Sequence, residues 1–253
     1  MRLASFNLLH GRSLSDGTVV ADRLHGSITL LSADVVGLQE VDRGQSRSDA
    51  RDLTREVARA MDAEHWRYVP ALIGTPGFTW RAAVDADHDG VDASYGCGLV
   101  SRYPVLSWHV VRLASAKVKS PIMIPGSGKV MWLQDEPRVG IAAVMQTPHG
   151  QMTIATTHLS FVPVWNGVQL RKLCAELELL PGPRVLLGDL NMPPPFPRVL
   201  SRWQSLAKVA TYPSTDPKIQ LDHVLGHGAL PPVKTVETPV LSVSDHRALL
   251  VEL

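Results

Sequence analysis

The chain has 253 residues, 45% hydrophobic and 19% charged, a length that suits one large domain or two small ones. Lys+Arg number 25 against 24 Asp+Glu, so the formal net charge is +1, without the cationic excess of a dedicated nucleic-acid binder, although a local basic groove stays open. No apolar run is long enough to span a bilayer, and two cysteines, Cys97 and Cys174, make a disulfide framework a poor reading and buried free thiols the expected one.

The opening stretch MRLASFNLLHG lacks the apolar core and small-residue cleavage site of a signal peptide. It reads as a strand over Arg2–Asn7, and the protein is expected in the cytoplasm. A helix over Val19–Leu31 sets Val20, Leu24, Ile28 and Leu31 on one stripe. The strand Val35–Gln39 follows. A second helix over Asp49–Met61 aligns Leu53, Val57 and Met61, with Asp49 placed to cap it. Strands are then expected at Arg67–Leu72, Gly98–Ser101, Val105–Leu113, Arg138–Gln146 and Met152–Thr157, the last two joined by a hairpin turning at His149-Gly150. A third helix over Asn166–Leu179 groups Leu170, Leu173, Leu177 and Leu180. Arg184–Gly188, Gln220–Leu225, Val233–Thr238 and Ala248–Leu253 complete the strands. No repeat and no Pro/Gly/Ser linker divides the chain, so one domain over residues 1–253 is expected. Many strands and few helices, without βαβ alternation, point to an α/β protein with two mixed or antiparallel sheets packed face to face and helices outside.

Three segments stand apart. Asp85–Asp92 fits the first half of a calcium loop, but Gly96 falls where a bidentate Glu is required and no helices flank it, so an acidic loop is the better reading. Ser120–Gln134 is apolar on both sides of a Pro-Gly-Ser-Gly turn, and is expected as a hairpin folded over the core or at a dimer contact rather than a lipid-engaging one. Pro193–Pro197 reads as a stiff loop at a site rim.

Polar groups recur where strands end. LASFN ends at Asn7, VVGLQE at Glu40, TIATTH at His158, and VLLGDLN at Asp189 and Asn191; IQLDHVL carries Asp222, and SVSDH delivers Asp245 and His246 before the last strand. Singly, an Asp or Asn after a strand is more often a turn former, and a lone His a structural hydrogen-bonding residue. Together, four carboxylates, two carboxamides and two imidazoles are what hydrolysis with a hard cation requires: oxygen ligands, a group to activate water, and donors for a phosphate.

The ordered series SFN, LQE, TTHL, GDLN, LDH and SDH, with GLVSRYP between the second and third, resembles the endonuclease/exonuclease/phosphatase superfamily from Asn7 to His246, nearly the whole chain. The resemblance implies a four-layer α/β sandwich of two mixed β-sheets flanked by helices, with the active site where strand ends from both sheets converge. It implies a divalent-metal-dependent phosphoester hydrolase, a phosphodiesterase or nuclease before a lipid or small-molecule phosphoesterase, and last a non-catalytic binding module, since no expected group is missing. By the same resemblance Asn7, Glu40 and Asp245 hold Mg²⁺ or Mn²⁺. Asp189 activates water, Asn191 holds a phosphate oxygen, and His246 donates a proton with Asp222 behind it. His158 stabilises charge on phosphorus. His10, Arg12, Arg43 and Arg47 lie just beyond Asn7 and Glu40 in sequence and are candidates for a phosphate pocket, with solvated loops equally in view. Met192 and prolines follow GDLN where inositol phosphatases of the family carry Arg or a similar group, and His158 points away from abasic-site enzymes. The expected partner is a phosphate-ester substrate (nucleic acid, lipid or small molecule), with no membrane span and no obligate protein partner.

Overall fold

Along Arg2–Asn7 (β1) successive side chains leave on opposite faces, and both faces are buried: Leu3 packs toward one hydrophobic cluster, Ala4 and Phe6 toward another. A strand buried on both sides belongs in an inner layer, and the same holds for most strands that follow. The computed structural model describes residues 1–87, 90, 92–117, 119–123 and 130–253, with the backbone alone for 120–123 and 130–131. The further strands are β2 Val35–Arg43, β3 His65–Gly74, β4 Trp80–Ala82, β5 Ser94–Ser101, β6 Val105–Leu113, β7 Lys119–Met123, β8 Val130–Gln134, β9 Arg138–Thr147, β10 Gly150–His158, β11 Arg184–Asp189, β12 Gln204–Ser205, β13 Asp222–His227, β14 Thr235–Glu237 and β15 Leu249–Glu252. The helices are α1 Ala21–Leu31, α2 Leu53–Met61, α3 Trp165–Glu178 and α4 Phe196–Ser201.

Seven strands form one sheet in the order β14-β15-β1-β2-β5-β3-β4, and six form a second, β12-β13-β11-β10-β9-β6. Both are mixed. β1–β2 and β10–β11 are parallel and every other pair is antiparallel. Leu3, Leu99, Ile141, Ile154, Leu187 and Val251 fill the space between the sheets. Leu24, Ile28, Val57 and Met61 of α1 and α2 pack on the first sheet, and Leu170, Leu173 and Leu177 of α3 on the second. The expected four-layer sandwich is therefore present. The sheets approach closely at Gly37, where an added Cβ would sit 2.6 Å from Thr156 Oγ1; Gln39 Nε2 crosses the same gap to donate to Thr156 Oγ1 at 2.9 Å.

Several expectations are corrected. Asp52, not Asp49, caps α2, accepting from Arg55 N at 3.1 Å, while Asp49 takes a left-handed φ of 54° after a short 3₁₀ turn. Pro193–Pro197 is only in part a loop. α4 starts at Phe196 with Pro197 in its first turn, where the missing N–H leaves no intrahelical bond unmade. β2 does not stop at Gln39 but continues through a bulge to Arg43. The Ser120–Gln134 segment is the antiparallel pair β7–β8, with 124–129 outside the described residues. The Asp85–Asp92 reading also falls partly outside them, at 88, 89 and 91. Of its described acids, Asp87 is held bidentately by Arg81 (2.7 and 2.7 Å) and Asp85 accepts from Arg112 Nε at 2.8 Å. Cys97 and Cys174 are buried free thiols, both pushed up to about 12 by burial. No helix among the described residues is long and apolar enough to cross a membrane.

Candidate active site

Sheet geometry determines which polar groups meet. The parallel pair β1–β2 sets Asn7 beside Gln39, so Glu40 follows at the same rim. The parallel pair β10–β11 sets His158 opposite Asp189 in the second sheet. β13 runs antiparallel to β11, and its first residue, Asp222, faces Asp189. Glu40 sits in the bulge of β2 between Leu38 and Val41, with a φ of 53°. A bulge re-aims a side chain, and a non-glycine residue held at positive φ marks a constrained site. Asn191 also has a left-handed backbone, φ 51°.

The side chains interlock. Asn7 is fully buried; its Nδ2 donates to Glu40 Oε1 at 3.1 Å and to Asp189 Oδ2 at 3.0 Å, tying the two sheets together. Asp189 Oδ1 accepts from Asn191 N at 3.0 Å, and Asn191 Nδ2 donates to Leu159 O and contacts His158 Nε2, each at 3.0 Å. His246 Nδ1 lies 2.8 Å from Asp222 Oδ2, with His246 7% and Asp222 0% exposed at the side chain. The other ring nitrogen of His246 lies 3.8 Å from Asp189 Oδ2. Ser244 fixes the approach, donating to Asn7 O at 2.6 Å and accepting from His246 N at 3.0 Å.

Charge states follow from these contacts. Burial lowers His246, but the Asp222 and Asp189 carboxylates outweigh it and raise the imidazole to about 10, so the ring is a cation that can donate. Burial pushes the Asp189 carboxyl up to about 7, with His246 acting against the rise and Asp222 with it. Burial, reinforced by the Arg138 cation, drives His158 well below its ordinary value, so it is neutral. Loss of hydration raises Glu40, and the Asp245 charge adds to it. A cation between Glu40 and Asp245 would relieve that repulsion, with water completing an oxygen-rich set suited to Mg²⁺ or Mn²⁺; Asn7 presents Nδ2 to Glu40, and its Oδ1 accepts from Leu9 N at 3.1 Å. A second donor set is Asp189, Asp222 and His246, whose ligand atoms lie within 4.8 Å of one another. In it the Nδ1 of His246 is already taken by Asp222, so the ring offers only Nε2 to whatever occupies the cavity.

These groups meet at a cavity of about 930 Å³, lined by Glu40, His158, Asp189, Asn191, Asp245 and His246, with Asn7 and Asp222 immediately behind. His10, Arg12, Arg43 and Arg47 do not line it. Arg47 is forked onto Asp42 (2.8 and 2.7 Å) and stands over the Tyr95 ring, and Arg43 stands over Tyr68 at 4.6 Å. Arg12 is exposed on the loop after Asn7, and His10 is half-buried; burial and the nearby Arg47 cation lower it to about 4, against the opposing pull of the Asp42 carboxylate. β2 runs on past its bulge to Arg43, and Arg47 follows in the 3₁₀ turn Ser46–Ser48, so adjacency to Glu40 in sequence does not by itself set either guanidinium on the cavity wall.

Arg138 and Tyr212 are among the cavity residues that no sequence motif marks. Arg138 is 6% exposed; among the described residues its Nε has no partner, and the nearest carboxylate, Asp135, stands 3.8 Å away. It opens β9, and because β9 is antiparallel to β10 its first residues lie at the rim where β10 ends. Tyr212 packs its ring on His246 with centroids 4.8 Å apart and tilted by 48°, and no sequence signal marked it.

Two mixed sheets packed face to face, with carboxylates, carboxamides and imidazoles meeting at one rim, define the phosphoester hydrolases of the α/β-sandwich type. Residues 4–246 match the Endonuclease/Exonuclease/phosphatase family, and the chain belongs to that family. No curated protein matches it. Among solved structures it is similar to the endonuclease/exonuclease/phosphatase from Beutenbergia cavernae (19% identity, 99% of this chain and 70% of that one, TM-score 0.67). It is also similar to Sphingomyelinase C from Streptomyces griseocarneus (15%, 99% and 98%, TM-score 0.61) and to a mannosyl-6-phosphatase from Bacteroides thetaiotaomicron (16%, 100% and 98%, TM-score 0.61). At these identities the likeness is one of fold.

Proposed function

We propose that the protein is a divalent-metal-dependent phosphodiesterase, with nucleic acid as its substrate, that cleaves by attack of water on phosphorus. The observation that carries this reading is Asn7 Nδ2 bridging Glu40 and Asp189 across the two sheets, beside the buried Asp222–His246 pair. Glu40 and Asp245, with Asn7 steadying Glu40, would hold Mg²⁺ or Mn²⁺, which would supply positive charge to offset that of the phosphate. Asp189 takes a proton from the attacking water; a carboxyl raised to about 7 is a stronger base than a solvated one. The water oxygen bonds to phosphorus as the bond to the leaving oxygen breaks. His246 gives its Nε2 proton to that leaving oxygen, while Asp222 keeps the ring oriented and charged. Asn191 and Arg138 face the non-bridging oxygens, and His158 adds a neutral dipole. Two buried free thiols suit the cytoplasm.

A second reading, a lipid or small-molecule phosphoester, draws on the cavity mouth, where Phe78 is 85% and Trp132 63% exposed. A panel with Mg²⁺ or Mn²⁺ decides: plasmid and single-stranded DNA, RNA, sphingomyelin, and a chromogenic phosphodiester against its phosphomonoester. Cleavage of nucleic acid and of the chromogenic diester is expected. Turnover of sphingomyelin or the monoester alone refutes the nuclease reading, and turnover of nothing favours a binding module.

A further inference from the structure

On the far side of the catalytic wall lies a second cavity of about 680 Å³. The two share their partition. Asn191 and Leu221 face the catalytic cavity, while Pro194, Pro195, Gln220 and His223 face the second. The partition is stiff: His223 is buried and neutral, its Nε2 donating to Met192 O at 2.9 Å and its Nδ1 meeting Gln220 Nε2 at 3.3 Å.

The charge of this cavity sets it apart. Arg198, Arg202 and Lys208 line it, all exposed, and among the described residues no carboxylate does. Five arginines elsewhere are each paired with a carboxylate at 3.0 Å or less: Arg23 with Asp16, Arg47 with Asp42, Arg59 with Glu56, Arg81 with Asp87 and Arg112 with Asp85. Among the described residues, none of these three cations has a carboxylate within 4.0 Å. Arg198 and Arg202 stand one turn apart, with Arg202 N donating to Arg198 O at 2.9 Å and Arg202 held at a φ of 62°. Like charges at that spacing repel unless an anion lies between them. In a chain of net charge +1, three unmatched cations around one concave wall are a local anion-binding surface, and guanidinium forks suit phosphate oxygens.

We propose that this cavity is a second phosphate-binding site, in which Arg198, Arg202 and Lys208 hold a backbone phosphate of a nucleic-acid strand whose scissile phosphate lies in the catalytic cavity. It deepens the phosphodiesterase reading and rests on it for the source of the phosphate. Free oligophosphate is the other source of the same chemistry.

The test separates the two claims. The full chain in EDTA, where nothing is cleaved, is titrated into a fluorescein-labelled single-stranded DNA oligonucleotide and followed by anisotropy across salt concentrations. The variants are Arg198→Ala/Arg202→Ala/Lys208→Ala and, as a control on the opposite helix layer, Arg51→Ala/Arg55→Ala. The triple variant is expected to bind about tenfold or more weakly, with a log–log salt slope shallower by about 2, three contacts at about 0.7 each. The control is expected to bind as wild type, and inorganic tripolyphosphate to compete with the oligonucleotide on wild type only. With Mg²⁺, the triple variant is expected to hydrolyse a chromogenic phosphodiester at the wild-type rate. Unchanged oligonucleotide affinity and slope in the triple variant overturn the site. Tripolyphosphate binding that depends on the three cations, without oligonucleotide binding, overturns the strand in favour of a free anion. If wild type hydrolyses no phosphodiester yet its oligonucleotide binding depends on the three cations, the site stands and the catalytic reading fails.

Discussion

Removing one member of the Asp222–His246 pair tests whether the two act as a unit. His246→Ala deletes the ring whose Nδ1 lies 2.8 Å from Asp222 and whose other nitrogen faces Asp189. With it goes the proton donor for the leaving group, and kcat is expected to fall about 10²- to 10⁴-fold. Asp222→Asn keeps the shape but exchanges a charge-assisted hydrogen bond for a neutral one. The difference between those two classes, about 1.5 kcal/mol, corresponds to roughly tenfold. The carboxamide can also present its NH₂ to the ring and disturb the tautomer, so a loss approaching about 10²-fold is expected. The double variant should be within about threefold of His246→Ala, because a carboxylate that acts only through the ring has nothing left to orient. The assay is kcat and KM for a chromogenic phosphodiester at saturating Mg²⁺, with thermal melts to confirm that each variant is folded, since both side chains are buried. Losses that simply multiply refute the coupling, leave Asp222 as a strand residue, and make His158 the next candidate donor.

Three more outcomes follow from the packing and charges. Arg138→Ala should raise KM about tenfold or more, with less effect on kcat, since a buried guanidinium with a free Nε meets phosphate in ground and transition state alike; Arg138→Lys should recover part of it, and unchanged kinetics in both would remove Arg138 from the site. Gly37→Ala should lower urea stability by about 1–3 kcal/mol, because the new Cβ would lie 2.6 Å from Thr156 Oγ1 and force the sheets apart; a neutral result contradicts the close approach. His10, lowered from 6.5 to about 4 in the fold, binds its proton more weakly folded than unfolded. Stability should therefore fall as pH drops from about 6.5 to about 4 and level off below; His10→Gln should flatten that window, which a series of melts against pH would show.

The residues that sequence reading found, and those it missed, divide by strand direction. Asn7, Glu40, His158 and Asp189 come from the parallel pairs β1–β2 and β10–β11, whose carboxyl ends share a rim, so polar residues closing apolar runs identify them. Antiparallel neighbours bring their starts to the same rim. Asp222 opens β13 and was caught only through the LDH motif, while Arg138 opens β9 after DEP and carried no motif. The layers and the apolar stripes of α1, α2 and α3 were legible because periodicity records burial. α4 was hidden by prolines that a first helical turn tolerates, and with it Arg198 and Arg202. Pairing is tertiary, so sequence could not show that Arg47 is held by Asp42 and that Arg198 has no carboxylate beside it among the described residues.

Glu40 is where the catalytic account is most exposed. Glu40→Gln keeps an acceptor for Asn7 Nδ2 while removing the charge that, on the proposed mechanism, would hold a divalent cation. The measurement is the rate of phosphodiester hydrolysis by wild type and Glu40→Gln as Mg²⁺ is raised from zero. Wild type should be silent in EDTA and rise to saturation. The variant, folded by its melt, should remain about 10²-fold or more below it, as the loss of several kcal/mol of charge stabilisation implies. A variant that turns over near the wild-type rate, or a wild type indifferent to EDTA, would contradict the metal-dependent mechanism.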